Sequence, residues 1–171
     1  MSFKVIEAPN KFKADYWNNQ SIFLAGGISN CPDWQSEVIQ MLNSRPNPVN
    51  WNNVPLYDIY KILNPRRANF DVSKEDESVK QIEWEYKALA RSSKVVFWFP
   101  EETLCPITLL ELGKELARRG RFERNSRNLH IGCHPNYKRK LDVKIQTRLA
   151  IPSVKVHESL QDVIDSLIKS L

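Results

Sequence analysis

The sequence predicts an α/β domain: a five-stranded parallel sheet with helices on both faces. Three observations predict it. Short apolar runs of strand length alternate with amphipathic stretches at helical spacing along most of the 171 residues. Residues 21–25 (SIFLA) form a compact apolar run that ends in Gly26-Gly27. That is strand then glycine turn, as at the carboxyl end of the first strand of a doubly wound sheet. Residues 94–119 read as strand, acidic loop and helix in one stretch. Ligands of open α/β sheets sit beyond the carboxyl ends of the strands.

Taken in order, residues 1–20 read as a polar lead-in, with a short strand around 3–6 as an option. Asp33 is a plausible N-cap for a helix over 34–42, with Glu37 near its first turn. Trp34 and Gln35 open that helix. Trp34 has two readings of equal weight, a packing residue or an aromatic wall for a base or sugar. Residues 43–55 are rich in Asn and Pro and predict a loop. A short strand is expected within 56–63, running into Asn64-Pro65-Arg66-Arg67. An Arg pair just after a strand can clamp an anion, because guanidinium is planar and always charged. Arg pairs are also common on surfaces. Residues 68–76 are polar and are a candidate lid.

Residues 77–92 predict a helix with Val79, Ile82, Tyr86, Leu89 and Ala90 as its apolar stripe. Gln81, Trp84, Glu85 and Lys87 are then left to other faces. Gln81 and Glu85 are four apart and lie on one side. Residues 94–99 (KVVFWF) predict a buried strand, and 100–106 a loop carrying Glu101 and Glu102. A helix follows over 107–119, with Ile107, Leu110, Leu112, Leu116 and Ala117 apolar. Pro106 suits its first turn, and Gly120 suits a left-handed stop. Residues 128–133 predict a fourth strand leading to His134-Pro135-Asn136-Tyr137. A basic helix over 138–149, a short strand over 153–156 and an amphipathic helix over 159–171 close the chain. The whole is expected to be one domain, 1–171, of flavodoxin-like, Rossmann-like three-layer type.

Composition narrows the function classes. Apolar content of 42% and charged content of 26% are those of a globular domain. No apolar run approaches the ~18 residues a bilayer span needs, and no secretory leader is visible. A membrane partner is therefore not expected, and the expected location is cytoplasmic. Cys31, Cys105 and Cys133 lack metal-like C-x-x-C spacing and read as thiols of a reducing compartment. No Cys/His/Asp cluster has ligand spacing, so no metal is expected; the G-x-G-x-x-G dinucleotide fingerprint is absent, and no other cofactor is expected. The formal charge is +5, concentrated in 118–127 and 138–144. These runs lack interleaved aromatics and any nucleic-acid motif. A solvated face, or attraction of a small anionic substrate, is the expected reading.

Glu111 lies one turn into the helix after the acidic loop, between Leu110 and Leu112. Most helical glutamates are solvated; a half-buried one can act as a nucleophile. The stretch FWFPEETLCPITLLELGKEL resembles the signature of the nucleoside 2-deoxyribosyltransferase family, in its nucleoside deoxyribosyltransferase-like branch. FLAGGISNCPDWQ resembles that family's sugar-lining first loop, and N-P-R recurs in the same branch. The resemblance covers roughly 21–148 and is most specific over 97–113.

The resemblance implies cleavage of a nucleoside's N-glycosidic bond, with transfer of the deoxyribosyl group to a free nucleobase or to water. It implies Glu111 as nucleophile and Glu85, 26 residues earlier where the family has Asp, as the auxiliary carboxylate. It implies a substrate pocket drawing on Gly26, Gly27, Trp34, Gln35, Asn64, Arg66, Gln81 and Glu101. Asn136 is implied to reach a neighbouring subunit's pocket, hence a homodimer or larger homo-oligomer. Where the family has a base-contacting acid, six residues before the nucleophile, this chain has Cys105. Base contact then falls to Glu101, Glu102 or elsewhere. The rival readings are a nucleoside 5′-monophosphate N-glycosidase using Arg66 and Arg67, and a non-catalytic nucleotide-binding module.

Overall fold

The computed structural model describes residues 2–12, 20–45, 49, 53–68, 73–120 and 128–171. Parts of the lead-in (13–19), the Asn/Pro loop (46–48 and 50–52), the candidate lid (69–72) and the basic run (121–127) lie outside the described residues. The chain forms two compact units, Met1–Leu24 with Trp34–Ser93, and Ala25–Asp33 with Lys94–Leu171.

In the first unit, β3 (Tyr60–Asn64) pairs in parallel with β1 (Lys4–Glu7) and with β2 (Gln20–Gly26). Ile22, Phe23, Leu24, Ile62 and Leu63 fill the interior. The helices are α1 (Trp34–Asn43), the single turn α2 (Leu56–Ile59) and α3 (Glu75–Arg91). In the second unit, β5 (Leu129–Cys133) pairs in parallel with β4 (Lys94–Phe99) and β6 (Val156–His157). Its helices are α4 (Pro106–Arg119), α5 (Lys140–Ala150) and α6 (Leu160–Ile168). All six residues of β4 are buried, the signature of a strand covered on both faces. Ser159 caps α6 by accepting from the Asp162 amide at 3.1 Å.

Parallel strands joined through helices make this the α/β class that the sequence predicts. The strand count differs: six among the described residues, not five. Lys4–Glu7 adds the sixth, a four-residue strand with only its middle half-buried, too short to carry a clear pattern. The segment 56–63 begins as a helical turn and becomes strand only at Tyr60. The last strand starts at Val156 rather than Ser153.

Two helix faces differ from the expected stripes. On α3, Val79, Ile82 and Tyr86 are 47%, 65% and 59% exposed, while Gln81, Trp84, Ala88 and Leu89 are buried. Trp84 decides the face. Its ring meets Phe12 and Phe23 edge-on, and its Nε1 donates to the Asn10 carbonyl at 2.8 Å. A buried indole with its N–H satisfied outweighs the area of smaller aliphatic side chains. On α4, Ile107 and Leu110 are exposed and Thr108, Leu112, Glu115, Leu116 and Arg119 are inside. Gly120 is right-handed, at φ −64°, so left-handed freedom is not what it supplies. A β-carbon there would stand 2.7 Å from the Leu116 carbonyl oxygen and 3.1 Å from that of Ala150. Close backbone approach selects the glycine.

His130 on β5 is buried, with Nδ1 2.8 Å from Ser166 Oγ and Nε2 3.1 Å from Ser170 Oγ. Burial, then the neighbouring Lys94, His157 and Arg119, hold its pKa down at about 3, against an ordinary 6.5. The unfolded chain thus takes up a proton near pH 6.5 that the folded chain refuses until about pH 3. Stability is expected to fall across that window as pH drops, by on the order of a few kcal/mol. Denaturant midpoints at pH 7 and 4 check this: His130→Gln should show a smaller acid-induced loss than the parent.

Candidate functional site

The residues singled out in the sequence fall into two groups, one in each unit. In the first unit they gather at the carboxyl end of β3. Asn64 is buried there, and its Oδ1 accepts the Arg66 amide at 3.0 Å, turning the chain after the strand. The Arg66 Nε donates to Gln35 Oε1 at 2.9 Å, and Gln35 is fully buried on α1. Gln81 Nε2 donates to the Pro65 carbonyl at 2.8 Å and to Glu85 Oε1 at 2.9 Å. Three segments distant in sequence thus bring Gln35, Asn64, Arg66, Gln81 and Glu85 into one chain of hydrogen bonds. Trp34 is buried beside Gln35 in sequence, at the start of α1. Arg67 donates from Nη2 to Glu77 Oε2 at 2.6 Å.

Glu85 is half-buried, and burial raises its carboxyl above the usual range; the Gln81 amide opposes this by hydrogen bonding to it. A carboxyl so raised is suited to holding and passing a proton nearer neutrality. Gln81 uses its amide protons on Pro65 and Glu85, while its buried Oε1 has no hydrogen-bond partner among the described residues. That oxygen is the one buried acceptor in this group left to take a donor.

In the second unit, Gly26 closes β2 and Gly27 is buried after it. A β-carbon on Gly27 would stand 2.9 Å from Cys105 Sγ, 3.0 Å from Thr103 Cγ2 and 3.2 Å from Cys31 Sγ. The glycine is required by these neighbours; its φ is not left-handed. Cys105, the residue before α4, is left-handed instead, at φ 46° and ψ 54°. That is an unfavourable conformation for a side-chain-bearing residue, and more so before a proline. Its thiol is pushed up to about 11, by burial first and by Cys31 next. The loop between β4 and α4 is pinned by Tyr137, whose hydroxyl donates to the Leu104 carbonyl at 2.8 Å and whose ring packs on Phe99.

Glu111 sits half-buried on α4, one turn from its start. Glu101 is exposed just past β4 and accepts from Asn136 Nδ2 at 2.9 Å, with His134 Nδ1 3.5 Å away. The structure therefore brings Asn136 to Glu101 of its own chain. Trp84 and Tyr137 were not singled out by sequence reasoning. The Trp84 face had a signal, the Gln81-x-x-Trp84 spacing on one side of a helix. Tyr137 had none, because its partner is a backbone carbonyl 33 residues away. Among the described residues, no three His, Cys, Asp or Glu side chains converge as metal ligands would, and no helix is long and apolar enough to cross a membrane.

Comparison with curated proteins finds none that matches. A protein-family model, described as nucleoside 2-deoxyribosyltransferase like, matches residues 19–123. That span holds both carboxylates, the Gly26-Gly27 turn and the Asn64–Arg66 segment, and it is more than half of the chain: the protein belongs to the nucleoside 2-deoxyribosyltransferase-like family.

Proposed function

We propose that the protein breaks the N-glycosidic bond of a 2′-deoxynucleoside through a covalent glycosyl ester on Glu111, and passes the deoxyribosyl group to another nucleobase or to water. Family membership over 19–123, with Glu111 in its E-L-G segment, is the observation that carries this reading. Cleavage of C1′–N leaves positive charge on the sugar. A carboxylate beneath the ring stabilises that charge and then traps it as an ester. A base or water then attacks C1′, and two displacements restore the starting configuration. Glu85 orients the sugar or exchanges the proton of the departing base, a role its raised carboxyl supports. The family resemblance supports Gly26, Gly27, Trp34, Gln35, Asn64, Arg66, Gln81 and Glu101 as the residues that bind substrate.

A 5′-monophosphate hydrolase would rely on Arg66 and Arg67. One donor of Arg66 is engaged by Gln35 and one of Arg67 by Glu77, so part of each guanidinium is held within the protein rather than kept for a phosphate. The nucleoside reading is therefore preferred. Its test is an incubation of matched deoxyribo- and ribonucleosides, and the deoxynucleoside monophosphate, with a free base, read by chromatography. The expected result is base exchange or release with the deoxynucleoside and a higher kcat/KM than for its ribo counterpart, since that ratio reports differential transition-state binding. Equal values, or a preference for the monophosphate, would move the protein to the nucleotide hydrolases. The active form is proposed to be at least a dimer, with Asn136 of one chain serving the pocket of the next. Full activity in a species that sediments as a monomer would exclude this.

A further inference from the structure

Two of the three cysteines converge on one glycine. Cys31 lies half-buried in the loop after β2, and Cys105 is buried at the entry to α4, 74 positions later. Their sulfurs stand 3.2 and 2.9 Å from the place a Gly27 β-carbon would take. They are therefore no farther apart than those two distances together. Only the missing side chain of Gly27 lets both thiols reach that point. Cys133 is not among the three atoms nearest that point: it is buried at the end of β5, and Cys31, not Cys133, is the thiol that raises Cys105. The left-handed backbone of Cys105 is a strain held by its surroundings, of the kind that gathers at functional sites.

We propose that Cys31 and Cys105 are a reversible oxidation site, closing to an intramolecular disulfide when the protein meets hydrogen peroxide. Cys31, the more exposed thiol, reacts first as its thiolate. Its sulfur forms a bond to one peroxide oxygen, the O–O bond breaks, and the second oxygen leaves as water after taking up a proton. Cys105 then attacks the sulfenic sulfur. The S–S bond forms, the S–O bond breaks, and the hydroxyl leaves as water with the Cys105 proton. Two thiols lose two electrons, and one peroxide becomes two waters. A dithiol such as dithiothreitol reverses the change by exchange. The bond ties the loop after Gly26-Gly27 to the residue preceding α4, six positions before Glu111. On the function proposed above, on which this consequence rests, oxidation slows base release.

The experiment treats the full chain with near-equimolar hydrogen peroxide, alkylates what remains in denaturant, and digests it without reductant for mass spectrometry. The expected result is a fall from three alkylatable thiols to one, a chain lighter by two hydrogens, and a peptide joining Cys31 to Cys105. Dithiothreitol should restore all three thiols. Cys133→Ser should leave the linkage unchanged, and Cys31→Ser, at a half-buried position, should abolish it with little change in Tm. Linkage through Cys133, linkage only between chains, or three thiols still alkylated would overturn the proposal. Turnover is followed in parallel. A linked protein with unchanged base release would remove the coupling to the site but leave the disulfide. A reduced protein inert towards every nucleoside would count against the function, while the mass measurement would still decide the thiol pair.

Discussion

Glu111→Gln is expected to abolish base release, lowering kcat by about a thousandfold or more, as loss of a nucleophile does. The amide keeps the shape of the side chain but cannot form the glycosyl ester. Substrate affinity should change far less than kcat, because the lost interaction belongs to the transition state and the intermediate. Glu111 is half-buried on a helix whose interior contacts come from Leu112, Glu115, Leu116 and Arg119. The Tm should therefore stay close to that of the parent. Steady-state kinetics and a thermal melt on the same preparation separate the two effects. Retention of most of the turnover in a folded variant would remove Glu111 from its role, and the ester with it.

The largest loss of stability is expected from Glu115→Ala. Glu115 is 1% exposed, and its Oε2 accepts from Arg119 Nε and Arg118 Nη2, both at 2.6 Å. Arg119 is itself 5% exposed. Removing the carboxylate leaves a buried guanidinium without its counter-charge, which costs about 3–5 kcal/mol. For a chain of this size that is a fall in Tm of roughly 10 °C. Replacing both partners together, Glu115→Met with Arg119→Leu, should recover most of the loss, because neither member of the pair is then left as an uncompensated charge. Chemical denaturation of the parent, single and double variants decides it. A single variant within about 1 kcal/mol of the parent would show that water reaches this pair and screens it.

The α/β class was legible because most strands read as short, mainly apolar runs and the helices follow a different period. Residues 94–99 and 128–133 stood out despite Lys94 and His130, since burial on both faces keeps most of their other positions apolar. The first strand was weaker evidence: KVIE is four residues long, and its identity comes from pairing with β3 rather than from its own composition. The same holds for 56–59, where a helical turn precedes the strand with similar apolar content.

Both carboxylates and the Asn64–Arg66 segment could be named from residue types and spacing within a resemblance. The hydrogen-bond chain that links Gln35, Arg66, Pro65, Gln81 and Glu85 could not, since its members come from three separate segments. Hydrophobic periodicity predicted that Val79, Ile82 and Tyr86 would face inward. Tertiary packing chose Gln81, Trp84 and Ala88: the Trp84 indole N–H and the Gln81 amide N–H groups find acceptors there, while Val79, Ile82 and Tyr86 are exposed. Gly120 shows the same division: the sequence by itself placed a glycine at the end of α4, but the Leu116 and Ala150 carbonyls, not the backbone angle, are what require it. Local pattern determined the class of each element and the residue types available for chemistry. Which side of each helix is buried, and which thiols and amides meet, was decided by contacts between segments far apart in the chain, where packing and polar satisfaction outweigh periodicity.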